Sequence, residues 1–330
     1  MSVAWTRYLG YGRESSYGTA ATITRRIDIL SESMTHQSRR RDIDSERSGG
    51  LDRVAETEQG ADGTVDVLPD WTTLGDWLAH LMGTPTTTTP ATGAKRHEWL
   101  HSMSYRPGSL TLDLHPDVRV HRFLGTVGRS LRIGTEAGRH LALAIGMLAQ
   151  QEVDGGTIPT VAESSFGSPL AVGSPGGPSF SATLAIDGVS ASALGTLNLD
   201  FAWARTLRRV ERSRVPVGII DKKRVTLSGS LRWRFDDTTT SRHDAWKDLS
   251  QLSLTATWTG TLISGSTYRT LEIHLPNCII TGSRGTQVRG AGGSGTLELD
   301  TQFVARTDSD LSGSPYRVRL TNTVANPASF

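Results

Sequence analysis

The chain has 330 residues, long for one ordinary domain and sufficient for two that each bury a core. Hydrophobic residues make up 36% and charged residues 21%, which excludes wholesale disorder, and 35 glycines among many Thr-rich alternating stretches point to short strands joined by turns. Lys+Arg is 35 against Asp+Glu 33, so the formal charge of +2 gives no general attraction to nucleic acid or an anionic membrane.

The opening MSVAWTRYLG lacks the apolar stretch of a secretory signal, and no apolar run reaches bilayer length, so neither export nor membrane insertion is expected. Residues 1–22, with YLGYGRESSYGTAAT, show neither helical periodicity nor clean alternation and are expected to form an extended arm. Ile23 to Met34 has strand character. Thr35 to Gly63 is charged and too long for a tight turn: either a flexible loop or a surface loop that orders against a neighbour. TVDVL at Thr64 alternates as a strand. In TTLGDWLAHLMG, Leu74, Trp77, Leu78, Leu81 and Met82 recur at spacings of three and four, which predicts a short helix, with Thr or Asp upstream to cap it and Gly83 to stop it. After a Thr/Pro-rich loop come strands SLTLDL, GTVGRSLRIG and RHLALAIGMLAQ.

Residues 154–178 have the Gly, Pro and Ser content of a linker. This divides the chain into an arm (1–22), a first domain (23–153), the linker, and a second domain (179–330). Beyond the linker the order returns: strand SATLAIDG, an Arg-rich stretch from Thr206 to Arg224, alternating VTLSGSLRWRF, a capped helical piece from Asp236 to Leu249, then strands LSLTATW, YRTLEIHLPNCII and GTLELDTQFVA. SLTLDL at Ser109 matches SLTATW at Ser253, so an internal duplication is expected. The single cysteine, Cys278, excludes an intrachain disulfide and lies in an apolar run as a small core residue.

Two motifs have enzymatic precedents. His97-Glu98-Trp99-Leu100-His101 satisfies H-E-x-x-H, whose zinc chemistry requires both histidines on one face of a helix. The flanks supply no helical stripe, and Ser104 and Pro107 stand where an extended motif needs Gly and His. Glu136 is a conceivable later ligand. A strand or loop with polar histidines is expected instead. Gly290-Ala291-Gly292-Gly293-Ser294-Gly295 is formally G-x-G-x-x-G, but a strand follows it where a nucleotide site needs a helix, so a hairpin loop is expected. No cofactor is expected.

Mixed-charge clusters suit subunit contacts or solvated loops: Arg39, Arg40 and Arg41 run into Asp42, Asp44 and Glu46, and Arg205, Arg208, Arg209, Arg212 and Arg214 are interrupted by Glu211. Asp66, Asp113, Glu272, Glu298 and Asp300 take polar positions on alternating strands, so they should point away from the core, onto either a channel wall or a solvated sheet face. Arg132, Arg232 and Arg234 stand at comparable positions.

With these elements in place, the chain resembles the tail tube, or major tail protein, family of long-tailed phages. The resemblance rests on GRESSYGTAATIT running into DILSESM, on LGDWLAHLMG, on LEIHLPNCII, and on FVARTDSD followed by YRVRLTNTV. It implies a mainly β fold of two tandem tail-tube-type β-sandwich or barrel domains, each with a flanking short helix, plus an N-terminal arm and long loops. It further implies a non-enzymatic subunit that stacks in rings, trimeric and pseudo-sixfold if duplicated or hexameric otherwise. The expected partners are other copies of the chain, a tape-measure protein in the lumen, terminator and baseplate proteins, and double-stranded DNA in transit. The arm and the charged stretches would supply contacts within and between rings. The alternatives are another ring-forming tail or baseplate protein, or a zinc hydrolase.

Overall fold

The computed structural model describes residues 8–45, 50–115, 120–136, 141–154, 182–191, 194–210, 213–234, 251–289 and 296–327. The fold is mainly β, with one α-helix among these residues.

The first half contains β1 (Tyr8–Arg13), β2 (Arg25–Glu32), β3 (Thr35–Ser45), β4 (Gly50–Val67), α1 (Thr73–Met82), β5 (Thr86–Ala91), β6 (Ala94–Leu100), β7 (Leu110–His115), β8 (His121–Glu136), β9 (Ala142–Ala149) and β10 (Gln151–Asp154). The second contains β11 (Ala182–Ile186), β12 (Val189–Ala191), β13 (Leu194–Arg208), β14 (Gly218–Arg234), β15 (Gln251–Ser264), β16 (Thr267–Arg289), β17 (Thr296–Ala305) and β18 (Arg317–Asn322).

The largest feature is an antiparallel sheet in which the edge formed by β2 and β3 is followed in order by β4, β9, β8, β13, β14, β17 and β16. Alternation decides its two faces. Val65, Val67, Leu131, Ile133, Leu143, Ile145, Leu197, Leu199, Phe201, Leu227, Leu231 and Phe303 are buried on one face and belong to one continuous core. The other face carries polar side chains.

Two long strands bend out of this sheet. The first part of β8 pairs with β7 and β10, and β1 joins β7. The first part of β16 pairs with β15 and β18, while β11 joins β15. The order β1-β7-β8-β10 in one half is thus matched by β11-β15-β16-β18 in the other, and β4-β9-β8 by β14-β17-β16. The halves also pair directly, through β8 with β13 and β6 with β18.

Several expectations are corrected. Tyr8–Arg13 is not an external arm: Tyr8, Leu9 and Tyr11 are buried between β2 and β7. Aromatic residues between glycines hide a strand here, because Gly12 takes the place where a Cβ would lie 2.1 Å from the Thr22 carbonyl oxygen. Thr35 to Gly63 is not a loop but most of the long β3–β4 hairpin. Likewise, Thr206 to Arg224 is largely the ends of β13 and β14. In both hairpins charged side chains replace the alternation that marks a half-buried strand. The Thr/Pro-rich loop contains β5, paired with β6. The expected linker lies almost wholly outside the described residues, and so do the second helix expected at Asp236 to Leu249 and the 290–295 glycines. The strands flanking those glycines pair antiparallel, with Arg289 opposite Thr296.

Helix α1 begins as expected, and of the two capping candidates the upstream Asp, Asp70, takes the role. The Asp70 carboxylate accepts hydrogen bonds from the Thr72 and Thr73 amides at 2.6 and 2.9 Å. Gly83, at φ 109°, ends it. Every residue of the helix is buried, so the polar Asp76 and His80 need partners within the protein.

Candidate assembly interface

The polar face of the large sheet carries cross-strand ion pairs. Arg132 on β8 donates to Asp200 on β13 at 2.6 Å, and Arg232 on β14 donates to Asp300 on β17 at 2.8 Å. Asp66 on β4 accepts from the Ser31 hydroxyl. Arg132 and Arg232 are thus each neutralised by an acid on the next strand, while Asp66 is held by a hydroxyl.

The five acidic residues expected to share an open face do not. Asp66 and Asp300 lie on the large sheet, half-buried. Glu298 lies on β17, opposite Arg234 in register, but its side chain is outside the description. Asp113 is buried and forms a bidentate pair with Arg122, both bonds 2.7 Å. β7 is covered on both faces, so alternation does not send any of its residues outward. Glu272 lies on the other branch of β16, between Arg317 and Arg319 at 3.5 and 3.4 Å.

Of the expected contact residues, Arg39, Arg40, Arg41, Asp42 and Asp44 occupy consecutive or near-consecutive positions on β3, facing β4 residues 51–58 in register. Their side chains, and Glu46, Glu211 and Arg212 altogether, lie outside the description. Arg208 and Arg209 are exposed where β13 ends.

The H-E-x-x-H segment lies on β6 and its end. Four residues of strand separate the two histidines by about 13 Å, so they cannot share one metal as they would on a helix. His97 is fully buried and held on both sides: Nε2 donates to the Val324 carbonyl at 2.9 Å, and Nδ1 accepts from the Thr87 hydroxyl at 2.9 Å. Burial lowers its pKa. Glu98 is paired with Arg319 at 2.6 Å, and His101 contacts the Lys223 carbonyl at 3.3 Å. Both histidines are thus structural residues, and no group of three or more potential metal ligands occurs among the described residues.

Arg205 had the look of a surface cation, yet it is 4% exposed. It shares the phase of buried Leu197, Leu199, Phe201 and Trp203, and that phase is the signal that could have found it. Its guanidinium donates to Asp221 at 2.9 Å, to the Gly128 carbonyl at 2.6 Å and to the Leu81 carbonyl at 2.9 Å, joining α1, β8 and β14. Gly128 allows this approach, since a Cβ there would lie 2.3 Å from Leu81 Cδ2.

Backbone is available for association at both ends of the large sheet. Among the described residues, β3 pairs only with β4, and β16 beyond Gly282 pairs only with β17, so the large sheet ends in two open edges. The profile of a family described as phage tail tube protein matches residues 4–309. The chain belongs to the phage tail tube protein family. Membership makes it a structural component of a phage tail. No curated protein matches the chain. No helix among the described residues is long and apolar enough to cross a membrane.

Proposed function

We propose that this tail tube protein closes into rings by continuing its large sheet from one copy to the next, and that stacked rings form the hollow tube through which double-stranded DNA passes. The single observation that carries this reading is the β8–β13 junction, where Thr196 to Ala202 pair with Glu136 to Ser130. There the last strand of one half's sheet pairs with the first strand of the other's. The two open ends, β16 and the edge formed by β2 and β3, are the corresponding partners left over, and they can meet only on separate copies.

The repeated pairing order supports two tail-tube units in one chain, the first starting at β1 rather than after residue 22. Three such chains would give a pseudo-sixfold ring. The pairwise-neutralised face suits the lumen, since it presents phosphates with no uninterrupted track of cations from which counterions would be released. Tape-measure, terminator and baseplate proteins would meet this tube inside and at its ends, and nothing in this role calls for catalysis.

Electron microscopy of the purified chain at high concentration tests the reading. Long hollow tubes with three chains per ring are expected. Six chains per ring would sink the duplicated-unit argument, single closed rings would favour a terminal tail component, and persistent monomer would sink the proposal.

A further inference from the structure

The β13–β14 hairpin folds back onto the first half of the chain. The Gln59 amide donates to the Arg214 carbonyl at 2.9 Å, and Gln150 Nε2 donates to the Pro216 carbonyl at 2.8 Å. A Cβ on Gly60 would lie 3.2 Å from Leu207 Cδ1 and 3.4 Å from Arg209 Nη2. β4 near Gly60 and the end of β9 therefore form a seat for this hairpin.

The cross-strand registers locate the equivalent seat in the second half. Ile145 faces both Leu131 and Val65, as Phe303 faces both Ile280 and Gly229. Thr35 faces Asp62 as Ala202 faces Thr226. On this correspondence Gln59 and Gly60 fall on Lys223 and Arg224, the end of β9 falls just after Arg306, and Arg209 falls on Asp42. At that place the surface is an open groove of about 960 Å³ whose lining includes His101, Met103, Lys222, Lys223, Arg224 and Arg306. The four cations are exposed and form no ion pair among the described residues, and Met103 is 68% exposed.

We propose that this groove receives the β3–β4 hairpin of a second copy, the counterpart of the hairpin that fills the first seat. The same chain's β3–β4 hairpin cannot reach it, because β9, β8 and β13 lie between β4 and β14. Charge fits the assignment. Beyond Arg41 and its partner Ala55, the described strand positions of this hairpin carry Asp42, Asp44 and Asp52 against Arg53 alone, opposite the four cations of the groove. The filled seat, by contrast, receives Arg209 over Gly60, an uncharged position. The inference rests on ring closure through the open sheet edges, which places a neighbour's β3 beside β16.

The test is assembly of the full chain, with wild type as the reference. Lys223→Glu/Arg224→Glu is expected to raise the concentration needed for tube formation at least about tenfold, and adding Asp42→Lys/Asp44→Lys in the same chain is expected to restore it. These positions are on the surface or at a hairpin strand, and a thermal melt confirms folding before assembly is scored. As a second measurement, Asp42→Cys protein mixed with Arg224→Cys protein should form a disulfide-linked dimer that neither forms alone; Cys278 is buried and does not interfere. Unchanged assembly of the double variant, or absence of the mixed dimer in tubes that do form, overturns the groove assignment. Wild type that forms no tubes overturns the ring reading beneath it.

Discussion

The Arg205 guanidinium and the Asp221 carboxylate meet at 2.9 Å, with 2% and 10% of their side chains exposed, at a bulge where β13 and β14 lose register. The pair holds strands of the second half against the helix and β8 of the first. Each terminal nitrogen also donates to a main-chain carbonyl, so this buried charge is neutralised and hydrogen-bonded through all three of its nitrogens. Replacing Arg205 by Met takes the charged partner from Asp221, which keeps only the Lys223 amide, and the guanidinium donors from two carbonyls. A loss of about 3–5 kcal/mol is expected in urea unfolding, larger than that from Asp221→Asn, which leaves the arginine its two carbonyl partners.

Asp76 lies inside the helix layer, with the Tyr11 hydroxyl donating to it at 3.2 Å and the Arg25 guanidinium forming an ion pair at 3.6 Å. Burial raises its pKa to about 7, an effect that Arg25 and the Tyr11 hydrogen bond only partly oppose. The folded state therefore holds this proton more tightly than the unfolded chain, and the stability it contributes is fully present below about pH 4 and lost as pH rises to about 7. Asp76→Asn should remove up to about 4 kcal/mol of that pH dependence, seen as a flatter stability profile than wild type across this window.

One turn later, His80 works in the opposite sense. Its Nε2 accepts from the Gly128 amide at 3.1 Å, and burial lowers its pKa to about 3, with Arg205 and Arg13 adding to the effect. The unfolded chain binds the proton more readily, so stability is present above about pH 6.5 and falls as pH drops toward 3. His80→Gln keeps an acceptor for Gly128. It should abolish this acid-side loss, on the order of 4 kcal/mol, in unfolding curves compared with wild type between pH 4 and 7.

Leu9 is fully buried between β2 and β7. Were the N-terminal segment an arm used only in assembly, Leu9→Ala would leave the isolated chain unaffected. As a core strand residue it should cost about 2–5 kcal/mol, measured on the unassembled protein by thermal or chemical unfolding.

His97→Ala separates the two readings of the H-E-x-x-H segment. It removes a buried imidazole bonded to Thr87 and Val324, so a stability loss of about 1–3 kcal/mol is expected. Metal content, measured by elemental analysis on both proteins, should be the same for the variant as for wild type.

The chain's own pattern determined the β class, helix α1 with its Gly83 stop, and most strands with an apolar face, because period-2 and period-3.6 burial is written directly in residue order. SLTLDL and SLTATW even announced that β7 and β15 hold matching places beside β8 and β16. Tertiary structure decided the rest. β1 is buried by neighbours more than a dozen residues away, and the β3–β4 hairpin is a ladder of backbone pairing in a stretch whose charged sequence carries no hydrophobic signal. Asp113 and Arg205 sit at positions whose burial depends on which layers cover them, and Glu272 falls on a branch of β16 that leaves the large sheet. Alternation tells which side of a strand a residue occupies; only the packing of layers tells whether that side meets water, core or another copy.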